Sequence, residues 1–249
     1  MNYLLSIQKD EHKYIQEWFN HHIGLGFDKI VVFNNSSIPY NINHPKYKEF
    51  DVSLNPAPQP ACYNWFFQDQ VEINDTVTVL DGDEFLTELV TPTSDVDVIR
   101  YSWQGFGDCG KLKYEDAPVQ LRFPTPLPKD FIYNDRLPSG ITENFHTKYT
   151  IRKTHKPAIL DIHTAHVLNG ISTNVNGQVT ALDCPWMDIC WSGPVVKHYF
   201  TKSTEEWCQR RLNKKDACGS SINSNILVRW YFNANEKTKE KEELIKEFL

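Results

Sequence analysis

Residues 76–86 read Thr-Val-Thr-Val-Leu-Asp-Gly-Asp-Glu-Phe-Leu. The first five are β-branched or apolar, the mark of a buried strand, and the run stops at Asp81-Gly82-Asp83, which is turn chemistry. Two carboxylates two residues apart, just past a buried strand, can meet one hard divalent cation. Magnesium and manganese accept so few protein oxygens when phosphates supply the rest. The plain alternative is a solvated acidic turn. The Asp83 carboxylate is expected on a surface turn, where Asp83→Ala abolishes the activity while changing stability by no more than about 0.5 kcal/mol.

Toward the N-terminus, residues 2–7 read as a strand and Asp10 as a helix N-cap. Tyr14, Ile15, Trp18, Phe19, His22 and Ile23 then recur at helical spacing until Gly24 and Gly26. Residues 29–33 (Lys-Ile-Val-Val-Phe) form a second strand, closed by the turn residues Asn34-Asn35-Ser36-Ser37. Strand, helix, strand at this spacing predicts a βαβ unit with a right-handed crossover and parallel strands. Residues 50–54 are expected as a third strand, 61–71 as a helix and 96–103 as a further strand. Residues 55–60, with three prolines, suit neither helix nor central strand. In open α/β sheets ligands bind beyond the carboxyl ends of the strands, so Asn34, Asn35, Asp81 and Asp83 are expected to share one crevice. The fold class is therefore α/β, a mainly parallel central sheet flanked by helices, with a less regular C-terminal half.

That second half carries Gly, Pro and aromatic residues over 105–145, expected strands at 149–152 and 159–162, and a capping box, Ser203-Thr-Glu-Glu206, opening a helix to about Leu212. The tail from Asn235 mixes Lys and Glu and is expected as an exposed helix. Leu244, Ile245, Phe248 and Leu249 offer it at most a peripheral membrane contact.

The chain has 249 residues, 26 basic against 32 acidic, a net charge of −6. With 40% apolar and 23% charged residues it is an ordinary folding sequence, and its acidity argues against nucleic acid as a partner. No apolar run approaches the roughly 20 residues of a membrane span. Cys62, Cys109, Cys184, Cys190, Cys208 and Cys218 contain no C-x-x-C pair, and no basic leader follows Met1. Both suit a reduced, cytoplasmic chain, soluble or at the inner face of a membrane.

Six blocks, in order, resemble the GT-A glycosyltransferases of the family 2-like and family 92 group. They are Gln8-Lys-Asp-Glu-His-Lys-Tyr-Ile-Gln-Glu-Trp18 with His21, His22 and Leu25-Gly26; Val32-Phe-Asn-Asn-Ser-Ser37; and Gln59-Pro-Ala-Cys-Tyr-Asn64. Val79-Leu-Asp-Gly-Asp-Glu-Phe-Leu86, Trp103-Gln-Gly-Phe-Gly-Asp-Cys-Gly110 and His198-Tyr-Phe-Thr-Lys-Ser-Thr-Glu-Glu-Trp207 complete the set. Two positions depart from the pattern: Asn34 stands where the family often has Asp, and Asp10 where it often has Asn. Both lie where such enzymes hold base and ribose.

The resemblance implies one GT-A-like domain over 1–249, with a nucleotide-sugar half (1–105), an acceptor and metal-closing half (106–233) and a C-terminal helix (234–249). It implies Mn²⁺ or Mg²⁺ on Asp83 directly, with Asp81 on metal or ribose and His198 as third ligand. Lys202 would reach the diphosphate, whose departure a metal and a lysine stabilise electrostatically. Ile7, Asp10, Glu11, Asn34, Asn35, Gln59, Tyr63 and Asn64 would line the donor site, and Trp103 and Phe106 a sugar face. An inverting transfer needs a general base near the acceptor hydroxyl; Asp108, in its Gly-rich loop, is the candidate, with Glu84, Asp116, Asp183 and Asp188 open.

His163-Thr-Ala-His166 offers a rival ligand in His166, although i and i+3 face opposite ways on a strand. Arg100, Lys148, Arg152 and Lys153 either line the diphosphate site or solvate a strand. The expected activity is transfer of a hexose, galactose favoured, from a UDP-sugar to a glycan acceptor in surface polysaccharide or lipo-oligosaccharide synthesis. A metal-dependent phosphohydrolase and a carbohydrate-binding module are the alternatives.

Overall fold

The βαβ pattern at the start of the chain forms as its spacing requires. In the computed structural model, which describes residues 1–54, 59–212 and 222–249, β1 (Asn2–Gln8) leads through α1 (Ile15–Gly24) to β2 (Lys29–Asn34). β1 and β2 run parallel, from Tyr3 opposite Lys29 to Gln8 opposite Asn34. β3 (Tyr47–Asp51) adds in parallel outside β2, starting three residues before the expected strand. After α2 (Gln59–Asp69), β4 (Thr76–Val79) adds in parallel on the other side of β1. β5 (Glu84–Leu86) and β6 (Val98–Gly105) follow, then the short α3 (Val119–Arg122).

β7 (Thr147–Arg152) enters antiparallel to both β4 and β6, giving the order β3-β2-β1-β4-β7-β6. β8 (Ala158–Leu160) and β9 (Ala165–Val167) pair as a separate ribbon, and β10 (Ser172–Asn174) lies parallel to β6. β11 (Val196–His198), α4 (Thr204–Trp207), a π-helical turn (Cys208–Leu212), α5 (Ser224–Ala234) and α6 (Lys239–Lys246) complete the chain. The architecture is thus mixed α/β, with a largely parallel sheet flanked by helices.

The chain divides into two compact units. One is Met1–Trp103 with Phe145–Val196; the other is Gln104–Asn144 with Lys197–Leu249. In the first, Leu5, Val31, Phe33, Val77, Val79, Tyr149 and Ile151 alternate onto one sheet face and meet Tyr63, Phe66 and Phe67 of α2. In the second, Trp207, Cys208, Leu227, Trp230, Tyr231 and Ile245 form the core.

Three expectations change. Asp10 does not cap α1: it takes a left-handed φ of 59°, its N–H donates to Ser36 Oγ, and Tyr14 occupies the cap. The tail helix is not merely exposed, because Lys241 and Ile245 are buried. Ile245 is thereby withdrawn from any membrane contact. The Ser203 capping box forms, Glu206 answering the Ser203 N–H, but regular α-helix stops at Trp207. Cys218 and residues 55–58 lie outside the described residues. Among the described residues no helix is long and apolar enough to cross a membrane.

Candidate functional site

β1, β2 and β4 all end on the same edge of the first unit, since they run parallel. The acidic turn leaves β4 at this edge. The Asp81 carboxylate, 28% exposed, is held from two sides: Gln59 Nε2 of α2 donates to Oδ1 at 3.1 Å, and Lys148 Nζ of β7 donates to Oδ2 at 2.9 Å. Lys148 is fully buried and also lies 3.4 Å from Glu84 Oε2, an atom that accepts the Asp81 N–H at 2.7 Å. Burial works against the Lys148 ammonium, but Asp81 and then Glu84 outweigh it and raise its pKa. Glu84 goes the other way. Burial pushes its carboxyl up to about 8 despite the opposing pull of Lys148. The cluster thus sets one buried ammonium against two carboxyl groups, one of which burial biases toward its neutral form.

α1 grips the exit of this turn. Trp18 Nε1 donates to the Glu84 carbonyl at 2.8 Å, and His22 Nε2 accepts the Leu86 N–H at 3.2 Å. His22 Nδ1 faces the Trp18 carbonyl, which fixes its tautomer, and burial holds its pKa well below 6.5. Gly82 permits a close approach: a Cβ there would lie 2.9 Å from Gln8 Cδ and 3.1 Å from Glu11 Cγ. Gln8, which sequence reasoning passed over, is buried and bonds Ser6 Oγ through Nε2, while its Oε1 has no hydrogen-bond partner.

The other candidates fall into three groups. Gln59 and Asp81 meet. Tyr63 is buried on α2, where its hydroxyl accepts the Ile7 N–H at 3.2 Å and burial raises its pKa. Glu11 takes its place by donating its N–H to Tyr40 Oη, and the Asn35 N–H bonds the Gln8 carbonyl. Asn34 and Asn64, by contrast, are committed to the fold. Asn34 accepts from the Ser36 N–H and donates to the Ile38 carbonyl and Glu49 Oε1, while Asn64 pins β8 through both directions of a Leu160 main-chain pair. Asp83 is buried at 5% exposure, so the expectation of a surface carboxylate does not hold.

Of the basic residues left open, only Lys148 reaches the acidic turn. Arg100 is buried and bonds Thr147 Oγ1 and the Ala181 and Cys184 carbonyls. Lys153 closes the end of α2 on the Phe67, Gln68 and Val71 carbonyls, and Arg152 reaches Ser94. His166 is exposed on β9.

In the second unit, His198 is half-buried beside the Phe200 ring at 5.4 Å, and its carbonyl accepts the Phe106 N–H. Phe106 stacks on Tyr199 at 4.6 Å. Lys202 is buried with a left-handed φ of 55°. Asp108 is also buried, and its oxygens are committed. Oδ2 receives Lys241 Nζ at 2.6 Å and Tyr231 Oη at 2.5 Å, Oδ1 receives the Gly110 N–H, and its own N–H bonds Asn235. Taking a proton from an acceptor would require breaking the Lys241 pair. These contacts hold the carboxylate as an anchor of the second unit.

Among the described residues no group of three His, Cys, Asp or Glu side chains is disposed to hold a metal ion. No protein-family model and no curated protein sequence matches the chain. Among solved structures, that of S. aureus TarS residues 1–349 is similar to 93% of this chain and 71% of that one, at 12% identity and a TM-score of 0.37. A likeness that shallow carries no argument about this chain.

Proposed function

We propose that this chain is a metal-dependent glycosyltransferase, using the edge beyond β1, β2 and β4 to hold a nucleoside diphosphate sugar. The observation that supports it most is Asp81: a partly exposed carboxylate, oriented by Gln59 and Lys148, at the end of a parallel strand. Strand ends of this kind are where open α/β sheets take ligands. The ordered sequence blocks supply the reaction class, a UDP-hexose donor with galactose favoured, a glycan acceptor and inversion.

Asp81 and Asp83 supply oxygen donors only, which suits Mn²⁺ or Mg²⁺ held mainly by phosphate. The orphaned Oε1 of buried Glu84 beside them is in keeping with a polar guest at this turn. Such an ion supplies electrostatic stabilisation to a departing diphosphate. Lys148 holds the Asp81 carboxylate in one orientation. Glu84, whose carboxyl burial biases toward the neutral form, fixes the turn through the Asp81 N–H. The parts given to His198 as third ligand and Lys202 as cation for the diphosphate rest on the block 198–207 alone.

The test is a panel of nucleotide sugars with Mn²⁺, following nucleoside diphosphate release, with UDP affinity measured by calorimetry. Asp81→Asn and His198→Ala are expected to lose the manganese-dependent part of UDP binding. UDP affinity indifferent to Mn²⁺ and to Asp81→Asn would overturn the metal assignment. Release of inorganic phosphate without an acceptor would point to the phosphohydrolase instead.

A further inference from the structure

We propose that Trp103, His146, His163 and Trp186 form a saccharide-binding platform beside the acidic turn. The inference deepens the transferase reading and rests on it only for the saccharide's role as substrate. β4 and β6 both run antiparallel to β7, so they are parallel to each other and end on the same edge of the first unit. Val79 of β4 and Arg100 of β6 both pair with Tyr149 of β7, and with strands about 4.8 Å apart they lie about 10 Å from one another. Asp81 comes two residues after Val79 and Trp103 three after Arg100, both toward the start of β7, where Lys148 and His146 lie.

Four rings gather there. The Trp103 ring lies 5.0 Å from His146 and 5.2 Å from His163, the two imidazoles are 5.2 Å apart, and Trp186 stands edge-on to His146 at 6.2 Å. Trp103 is nearly buried, whereas His146, His163 and Trp186 are half-exposed.

The ring nitrogens are oriented. Trp186 Nε1 donates to His146 Nε2 at 3.2 Å. His163 Nδ1 donates to the Thr147 carbonyl at 3.1 Å. The loop bearing Trp186 is fixed in advance: Arg100 holds the Ala181 and Cys184 carbonyls, Met187 N–H bonds the Phe145 carbonyl, and Trp191 Nε1 bonds the Trp103 carbonyl. Aromatic faces with polar edges suit the C–H faces and hydroxyls of a sugar. A preformed loop also lowers the ordering cost of binding.

The experiment uses the full chain without nucleotide, with lactose, cellobiose and chitobiose as probes, read by calorimetry and tryptophan fluorescence. Trp65→Ala, an exposed tryptophan of α2, removes background emission. At least one probe is expected to bind saturably. Trp186→Ala is expected to weaken that binding about tenfold, with Trp186→Phe recovering part of it. His163→Ala serves as the second variant should Trp186→Ala fail to fold. Absence of binding by every probe, or wild-type affinity in folded Trp186→Ala, overturns the platform. Trp186-dependent saccharide binding in a chain that consumes no nucleotide sugar keeps the platform and removes the transferase reading. Nucleoside diphosphate release with no saccharide binding does the reverse.

Discussion

Two buried lysines, one in each unit, meet aspartates that both belong to conspicuous sequence blocks, yet they are used in opposite ways. Lys148 meets Asp81, 28% exposed, and a Glu84 whose pKa burial raises. Lys241 meets Asp108 with both partners at 4% exposure or less, and Tyr231, Gly110 and Asn235 fill the remaining positions around that aspartate. The first pair leaves a carboxylate facing outward with spare acceptor capacity. The second is closed. A buried ion pair with every neighbour satisfied anchors a fold, and one that reaches water on one side can receive a ligand.

The sharpest way to break this distinction is to remove each lysine. Lys241→Met strands the buried Asp108 charge and is expected to cost about 3–5 kcal/mol. Lys148→Met is expected to cost clearly less, since Asp81 reaches water and burial biases Glu84 toward its neutral form. Urea denaturation of both variants decides it; equal losses would abolish the contrast.

A smaller effect separates the two glycine approaches. A Cβ on Gly107 would lie 2.8 Å from Asn235 Oδ1 and 3.3 Å from the Ala234 carbonyl, which is main chain and cannot swing away. Gly107→Ala is expected to lose about 1–3 kcal/mol. At Gly82 the nearest atoms belong to the Gln8 and Glu11 side chains, which can turn aside. Gly82→Ala should stay under about 1 kcal/mol. Thermal melting compares them, and a larger loss at Gly82 would show a rigid turn.

A third contrast is in pH. In the second unit, burial lifts Glu143 to about 7, against an ordinary 4.5, with the Asn134 N–H pulling the other way. Between those values the unfolded chain has released a proton that the folded chain keeps. Stability thus falls as pH rises from about 4.5 to about 7. In the first unit His22 stays neutral well below 6.5, so its contribution is lost as pH falls through that value. Glu143→Gln should flatten the upward-pH loss in hydrogen exchange of α5 while leaving β1 unchanged. An unaltered α5 profile would place the titration elsewhere.

The alternating half was legible because local pattern and tertiary demand agree there. β1, α1, β2 and β4 carry runs whose period alone decides their type, and strand ends locate the acidic turn. Lys148 and Glu84 were within reach of the sequence but not decidable. Only the antiparallel entry of β7 brings Lys148 to Asp81, and pairing across 67 residues leaves no local trace. Asp10 looked like a cap, but the Ser36 hydroxyl draws its N–H into a left-handed turn. Asp108 looked catalytic from its Gly-rich loop, because the lysine that closes it lies on a helix whose charge pattern reads as solvated.

The antiparallel insertion of β7 also sets an order of assembly. β1 to β4 can pair as soon as they are made, but the strand between β4 and β6 arrives only after the 41 residues of Gln104–Asn144 have been made. Until then Asp81 stands without the lysine that orients it. Contacts so distant in sequence form slowly. The same event that closes the open edge of β4 brings Lys148 to the acidic turn.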